Sequence, residues 1–344
     1  MRRPRKRESL EKMRALLVLA LVLTACSNQP SAGTSPTPSS TAVATTAAPS
    51  VTPRASPTAS PPPIPLPTFA QVSAPSGTVV WVLVAGSRLF RSSDRGATWA
   101  ERSLPAGVRN AEIAFADDTN GLLLSVANPA ADCQSQALAI RKTADGAASW
   151  PQAAAGGIAA AMCKRGLASG DTTHAFLTTT SPNSGSLVYR TADAGTTWTA
   201  SAPLPIPANL ATQGALFVSI TDRPRAFGSI VLVAGGAGQT KDIFRSTDGG
   251  ATFAYASTVA AEGTVAYVTA TRWLQLAPPS SSMETTDGGA TWHAYTTDYS
   301  QGAPVAPDVV FGDASVGYAT VRGEIQRTTD GGAHWTGIKT PGTG

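Results

Sequence analysis

Six eight-residue segments of the chain repeat one pattern: Ser or Thr, any residue, Asp, any residue, in all but one copy Gly, any residue, in all but one copy Thr or Ser, then an aromatic. They are Ser92–Trp99, Thr143–Trp150, Thr191–Trp198, Ser246–Phe253, Thr285–Trp292 and Thr328–Trp335. Their aspartates, Asp94, Asp145, Asp193, Asp248, Asp287 and Asp330, are 51, 48, 55, 39 and 43 residues apart. A unit of that length holds four short strands and their loops, and such units pack only by stacking on copies of themselves. Strand-like runs such as Leu187–Arg190, Ile243–Arg245 and Ile325–Arg327 precede the segments, so each segment is a hairpin turn. Past residue 68, short runs of Val, Ile, Phe, Tyr and Thr alternate with Gly, Asp, Asn and Pro, without a sustained 3.6-residue period. The expectation is an all-β body over 68–344: a single β-propeller of six four-stranded blades, with seven blades the weaker alternative.

The turn has a chemical logic. A short carboxylate accepts hydrogen bonds from the N–H groups of its own turn. The glycine two residues on (Gly96, Gly195, Gly250, Gly289, Gly332) takes the left-handed conformation that a side chain would strain. Thr suits re-entry into a strand. The aromatic (Trp99, Trp150, Trp198, Phe253, Trp292, Trp335) brings a large apolar face. The second copy departs: Ala147 stands at the glycine position, one residue after Gly146, and a distorted or shifted turn is expected there. In the sixth, His334 replaces Thr and reads as an exposed pairing residue. A weaker repeat, Phe115-Ala-Asp117 to Gly121-Leu122 against Phe311-Gly-Asp313 to Gly317-Tyr318, reads as a turn between the first and second strands of a blade. With a first strand over Phe69–Ala74, the ring is expected to close between complete blades, without strand exchange.

The repeated segment resembles the Asp-box, or bacterial neuraminidase repeat, of sialidases, endoxyloglucanases, sortilin-type receptors and photosystem II stability/assembly factor-like proteins. Together with the Phe-x-Asp-x-x-x-Gly-aromatic turns, it looks most like the last group. The resemblance implies a propeller in which these turns are structural and lie away from the substrate face. It does not carry an activity. The sialidase Arg-Ile-Pro motif is missing, and beyond the leader only Glu101, Glu112, Glu262, Glu284 and Glu324 are glutamates. Arg91, Arg190, Arg245 and Arg327 each precede the motif by one residue, a periodicity of strand surfaces rather than of a convergent clamp. An endoxyloglucanase-like enzyme pairs two propellers, and this chain has room for one. No phosphate-binding glycine loop, nucleophile elbow, zinc helix or calcium loop occurs, so no cofactor or metal is expected.

The rest of the chain says where such a body resides. A basic stretch and the apolar run Ala15–Leu23 end in Leu23-Thr24-Ala25-Cys26, which resembles a lipobox with Cys26 as the lipidated residue. Residues 1–25 are read as the signal peptide, with Met1 or Met13 as its start. They carry seven basic and two acidic residues, leaving 19 basic and 20 acidic elsewhere, so the net charge of +4 gives no case for nucleic-acid binding. Residues 26–67, nearly all Ser, Thr, Ala and Pro with 11 prolines, are read as a disordered spacer. After export, Cys133 and Cys163 are expected to form a disulfide, whose loop closure contributes about 3 kcal/mol in the chain-entropy model; two free, buried thiols are the alternative.

The functional expectation is a monomeric, lipid-anchored binding or scaffold protein of the cell envelope, at the outer face of the cytoplasmic membrane or in the periplasm or outer membrane, with a protein or glycan partner. Its binding residues belong on long loops such as Ala127–Ser135 and Pro203–Gln213, whose plainer reading is variable connections. A glycoside hydrolase is the alternative, and it requires two or more carboxylates converging at one end of the ring.

Overall fold

The computed structural model describes residues 61–236, 240–278, 281–300 and 307–344. The signal peptide, Cys26 and the spacer to residue 60 lie outside the described residues.

The described strands form six four-stranded antiparallel sheets, each made of four strands consecutive in sequence. The sheets are the blades of a β-propeller, whose first strands are Ala70–Ser73, Ala111–Phe115, Cys163–Ser169, Arg225–Phe227, Thr264–Tyr267 and Asp308–Phe311. Residues of all six line one central cavity, so the first strand of every blade is the innermost. Six apolar clusters lie between neighbouring blades; Trp81, Leu83 and Leu89 of blade 1, for example, meet Ile113, Phe115 and Leu123 of blade 2. Trp81 stacks on Phe115 with ring centroids 3.8 Å apart. The cluster joining Val72, Val82 and Phe90 of blade 1 to Val316, Tyr318 and Ile325 of blade 6 closes the ring. No strand is exchanged between blades. Ile64 instead forms a parallel bridge with Thr343, tying the chain ahead of blade 1 to the segment after blade 6.

The antiparallel order sorts the connections into two faces. Turns from first to second and from third to fourth strand share one end, called here the turn face. Turns from second to third strand and the connections between blades share the other, the loop face.

All six repeated segments join third to fourth strands, hence lie on the turn face. Each has the same wiring. The first hydroxyl donates to the aspartate and accepts from the backbone N–H at the glycine position at 2.8–3.0 Å. The aspartate then accepts the backbone N–H four residues on, also at 2.8–3.0 Å. The second copy is not distorted. Ala147 adopts φ 69° beside Gly146 at 68°, the same left-handed pair as Gly288 and Gly289 at 75° and 91°. Thr143, Asp145 and Ser149 keep the full bond set, and the buried Ala147 methyl packs in the cluster shared with blade 1. Five hydrogen bonds and a packed methyl outweigh a left-handed alanine's cost of about 1–2 kcal/mol. In the sixth copy the exposed His334 Nδ1 sits 2.6 Å from Asp330 Oδ2, where the other copies place a hydroxyl.

The aromatic of each segment packs into the crevice with the preceding blade: Trp198 against blade 2, Phe253 against blade 3, Trp335 against blade 5. The motif therefore fastens neighbours together as well as turning the chain. The second, weaker repeat also recurs more widely than its sequence shows. Asp117, Asp171 and Asp313 each accept two N–H groups of the first-to-second turn, and Ser76 and Thr269 do so through a hydroxyl. Serine and threonine at that position, and the missing Phe and Gly flanks at Asp171, hid the pattern.

Candidate functional site

The candidate site is the axis of the ring and its opening on the loop face. A cavity of about 600 Å³ runs between the first strands, from Thr221, Asp222 and Asp308 at the loop face to Pro75, Gly170 and Asp313 at the turn face. A shallower recess of about 170 Å³ forms its mouth, with Phe69, Glu112, Arg165, Asp222, Arg223 and Asp308 around it. These residues converge because each begins, or just precedes, the first strand of its blade.

Polar side chains on the inner strands also knit neighbouring blades. Gln71 Oε1 accepts the Ile113 N–H at 2.7 Å, Ser73 Oγ the Phe115 N–H at 2.9 Å, and Glu112 the Leu167 N–H at 2.8 Å. Blade 4 breaks the pattern. Its first strand is short, and Arg223 and Arg225 reach beyond blade 5 to blade 6, where Arg223 pairs with Asp308 and Arg225 donates to the Phe311 carbonyl. Lys241 pairs with Asp222 at 3.2 Å. Burial lowers the pKa of both arginines; for Arg225, the charge of Arg223 adds to it and the value falls to about 10. The buried Tyr267 hydroxyl lines the same cavity without a hydrogen-bond partner among the described residues, and burial raises its pKa well above the usual tyrosine value.

Three carboxylates, Glu112, Asp222 and Asp308, thus converge at one end of the ring, the feature a hydrolase requires. Each already has a partner in a backbone N–H, Lys241 or Arg223.

The long loops lie on the same face. Cys133 and Cys163 are joined by a disulfide that ties loop 127–135 to the first strand of blade 3. Next to it the buried Lys164 ammonium donates to the carbonyls of Gln136, Ala160 and Ala161 at 2.6–3.0 Å. Loop 203–213 contains the four-residue helix Ala208–Ala211 and is anchored by the buried Leu204 and Leu210. Asn209 also donates to the buried Asp242 at 3.2 Å. Both loops are therefore held in place. Beside them the face exposes Ile206, Phe69 and Leu66, and Leu216 at 85%.

The turn-face residues do not converge. The six aspartates sit one per blade around the rim, exposed, each spent on its own turn. Hydrogen bonds within the turn bring Asp94, Asp145, Asp193, Asp287 and Asp330 down to about 2, and Asp248 lower still. For Asp330, partial burial is the largest single influence and opposes the shift; the bonds from His334 and Thr328 outweigh it. Two of the periodic arginines do structural work: Arg91 bonds Asp118 and lies 5.9 Å from the Trp81 ring, and Arg327 donates to the Arg95 carbonyl at 2.8 Å. Among the described residues no group of three or more His, Cys, Asp or Glu side chains is placed to hold a metal, and no helix is long and apolar enough to cross a membrane. The cavity-lining residues Arg223, Arg225, Lys241 and Tyr267 escape the sequence reading because no local motif marks them. The signal was the Asp-Arg-Pro-Arg run at 222–225, three charges at the start of a blade's first strand.

No family model matches the chain, and no curated protein matches it in sequence. Solved structures do. The SapL1 lectin in complex with alpha methyl fucoside aligns at TM-score 0.51 and 14% identity, over 80% of this chain and 97% of that one. YCF48 from Cyanidioschyzon merolae aligns at 0.49 and 16%, over 80% and 86%. The GH74 xyloglucanase from Xanthomonas campestris aligns at 0.30 and 16%, over 76% and 53%. At such identities the likeness is one of fold. Fold and site together define a six-bladed β-propeller with a charged axial channel that opens among anchored loops.

Proposed function

We propose that the protein is an Asp-box propeller of the cell envelope, lipid-anchored through Cys26, that binds a protein or glycan partner through its loop face. The observation that carries this reading is the contrast in what the two ends offer. The loop face combines a channel mouth, two anchored long loops and exposed apolar side chains such as Leu216 and Phe69. Anchored loops on a rigid body, with apolar groups in a polar surround, are what recognition surfaces are made of. The Ser/Thr/Ala/Pro spacer fits the reading, since it gives the body reach from a membrane. The neighbouring structures include a lectin with a fucoside and YCF48 bound to D1 peptide, which accord with a propeller used for binding without naming this protein's partner.

The test is chemical cross-linking of the full-length protein in its native envelope, followed by affinity recovery. Leu216→Asp on the loop face is expected to lose the recovered partner, while Ala97→Asp on the turn face keeps it. Recovery unaffected by Leu216→Asp, or lost only with Ala97→Asp, overturns the reading.

The convergence of Glu112, Asp222 and Asp308 favours a second reading, a glycoside hydrolase. Turnover of a fluorogenic sialoside or glucan panel, abolished by Glu112→Gln or Asp308→Asn, would establish it in place of the first.

A further inference from the structure

The chain enters the inner strand of blade 4 along the channel as Asp222-Arg223-Pro224-Arg225-Ala226-Phe227. The strand proper is Arg225–Phe227, whose alternation puts Arg225 and Phe227 on one side, and both line the cavity together with Arg223 just ahead of them. Three cations border this space, and two have carboxylate partners, Arg223 with Asp308 and Lys241 with Asp222. The remaining acid of the lining, Asp313, accepts the N–H groups of Ser315 and Val316 in its own turn. Arg225 has no carboxylate among the described residues. One of its nitrogens donates to the Phe311 carbonyl, its guanidinium lies 5.7 Å from the Phe227 ring, and its buried Nε has no acceptor among the described residues.

A half-buried guanidinium with a buried, unfilled donor and a like charge two residues away is unfavourable unless an anion joins it. With a pKa of about 10, Arg225 keeps its charge at neutral pH. The planar donor fork of arginine matches the two oxygens of a carboxylate. The cavity, about 600 Å³, lies within the range that holds small organic ligands, and Val72, Ile113, Val265 and Phe227 give it apolar wall. That combination favours a compact acid with an organic body over a hydrated inorganic ion, and a neutral sugar leaves the charge unmatched.

We propose that the axial channel binds a small organic carboxylate, held by Arg225 with Arg223 beside it and its body against Phe227. This deepens the binding-module reading by giving the channel a ligand class, and it resides at residues the partner test does not alter.

The test is calorimetric titration and thermal shift on the full-length protein with glucuronate and benzoate, each beside its neutral counterpart, methyl glucoside and benzamide. At least one acid is expected to bind and raise the melting temperature, with no response to its neutral twin. Binding of glucuronate alone marks a sugar acid, and of benzoate alone an aromatic acid. Arg225→Gln is expected to weaken binding by about tenfold to a hundredfold, the loss of a charged hydrogen-bonding partner. Arg225→Lys keeps the charge without the fork and should fall between. Asp308→Asn keeps Arg225 and frees Arg223, so it should tighten binding; that variant carries the test if Arg225→Gln does not fold. The proposal is overturned if neither acid binds, if the neutral twins bind as well, if folded Arg225→Gln binds as the parent does, or if Asp308→Asn does not tighten binding. Carboxylate binding that survives while Leu216→Asp leaves partner recovery untouched would sink the loop-face reading alone, and the reverse result would sink this proposal alone.

Discussion

The turns joining third to fourth strands and the connections joining blades lie at opposite ends of the ring and are held by different physics. On the turn face, six near-identical segments satisfy their own donors and acceptors within eight residues, and their aromatics fill the crevices between blades. On the loop face the anchoring of the long loops does not repeat. One loop is fixed by a disulfide and a buried lysine, another by two leucines and a bond to Asp242, and the axis below is crossed by arginines from blade 4 alone. Repetition serves what every blade needs, a sharp turn and a grip on its neighbour. Departure from repetition is where a ring of equivalent blades acquires a side that can tell one ligand from another.

Substitutions should separate the two faces. The largest effect is expected under the turn face: Trp273→Ala, which removes a fully buried ring packed beside Gly289 and Trp292, should cost about 3–5 kcal/mol in denaturant melts. Leu216→Asp on the loop face should stay within about 0.5 kcal/mol of the parent. An equal cost for both would dissolve the contrast. Replacing Cys133 and Cys163 together by Ser should cost about 2–4 kcal/mol, the loop-closure contribution of a link between residues 30 apart, because the loop face has no repeated turn to fall back on. Gly289→Ala comes next. Its Cβ would meet Trp273 and Ser257 at 2.7 Å at φ 91°, and overpacking of that kind costs about 1–3 kcal/mol, whereas Ala147→Gly should change stability by no more than about 1 kcal/mol.

Acid should act on the turn face. Turn aspartates with folded values near 2 lie below the ordinary carboxylate value of 3.8, so their stabilisation is complete above about pH 4 and is lost as pH falls toward 2. Melting temperature against pH should show that fall, and Asp193→Asn should make it shallower. His334 should give the smallest effect, of opposite sign. Its bond to Asp330 raises its pKa, so its contribution is present below about pH 6.5 and fades as pH rises through the raised value. His334→Thr should abolish that slope near neutrality and leave the acid limb unchanged.

How legible each face is from sequence follows from the same contrast. The repeated turn is chemistry of near neighbours, so blade number and strand order can be read from Asp94 to Trp335. The expected distortion at Ala147 fails because a buried methyl and a complete bond set hold the left-handed conformation without glycine. The first-to-second turns were visible only at Asp117 and Asp313, where Phe and Gly flank the aspartate; Asp171 lacks those flanks, and Ser76 and Thr269 do the same work with a hydroxyl. The channel was not legible. Arg223 and Arg225 meet Asp308 and Phe311 across some 85 residues of sequence, a meeting set by which strand of each blade is innermost and by ring closure. The loops were legible as long connections, while their anchors Leu204, Leu210 and Lys164 emerge only with the packing.

A photo-cross-linking side chain placed singly at Leu216 or at Ala97, in full-length protein in its native envelope, tests the division between the faces most directly. Adducts from Leu216 with none from Ala97 are what the account predicts. Adducts formed from Ala97 while Leu216 stays silent would contradict it.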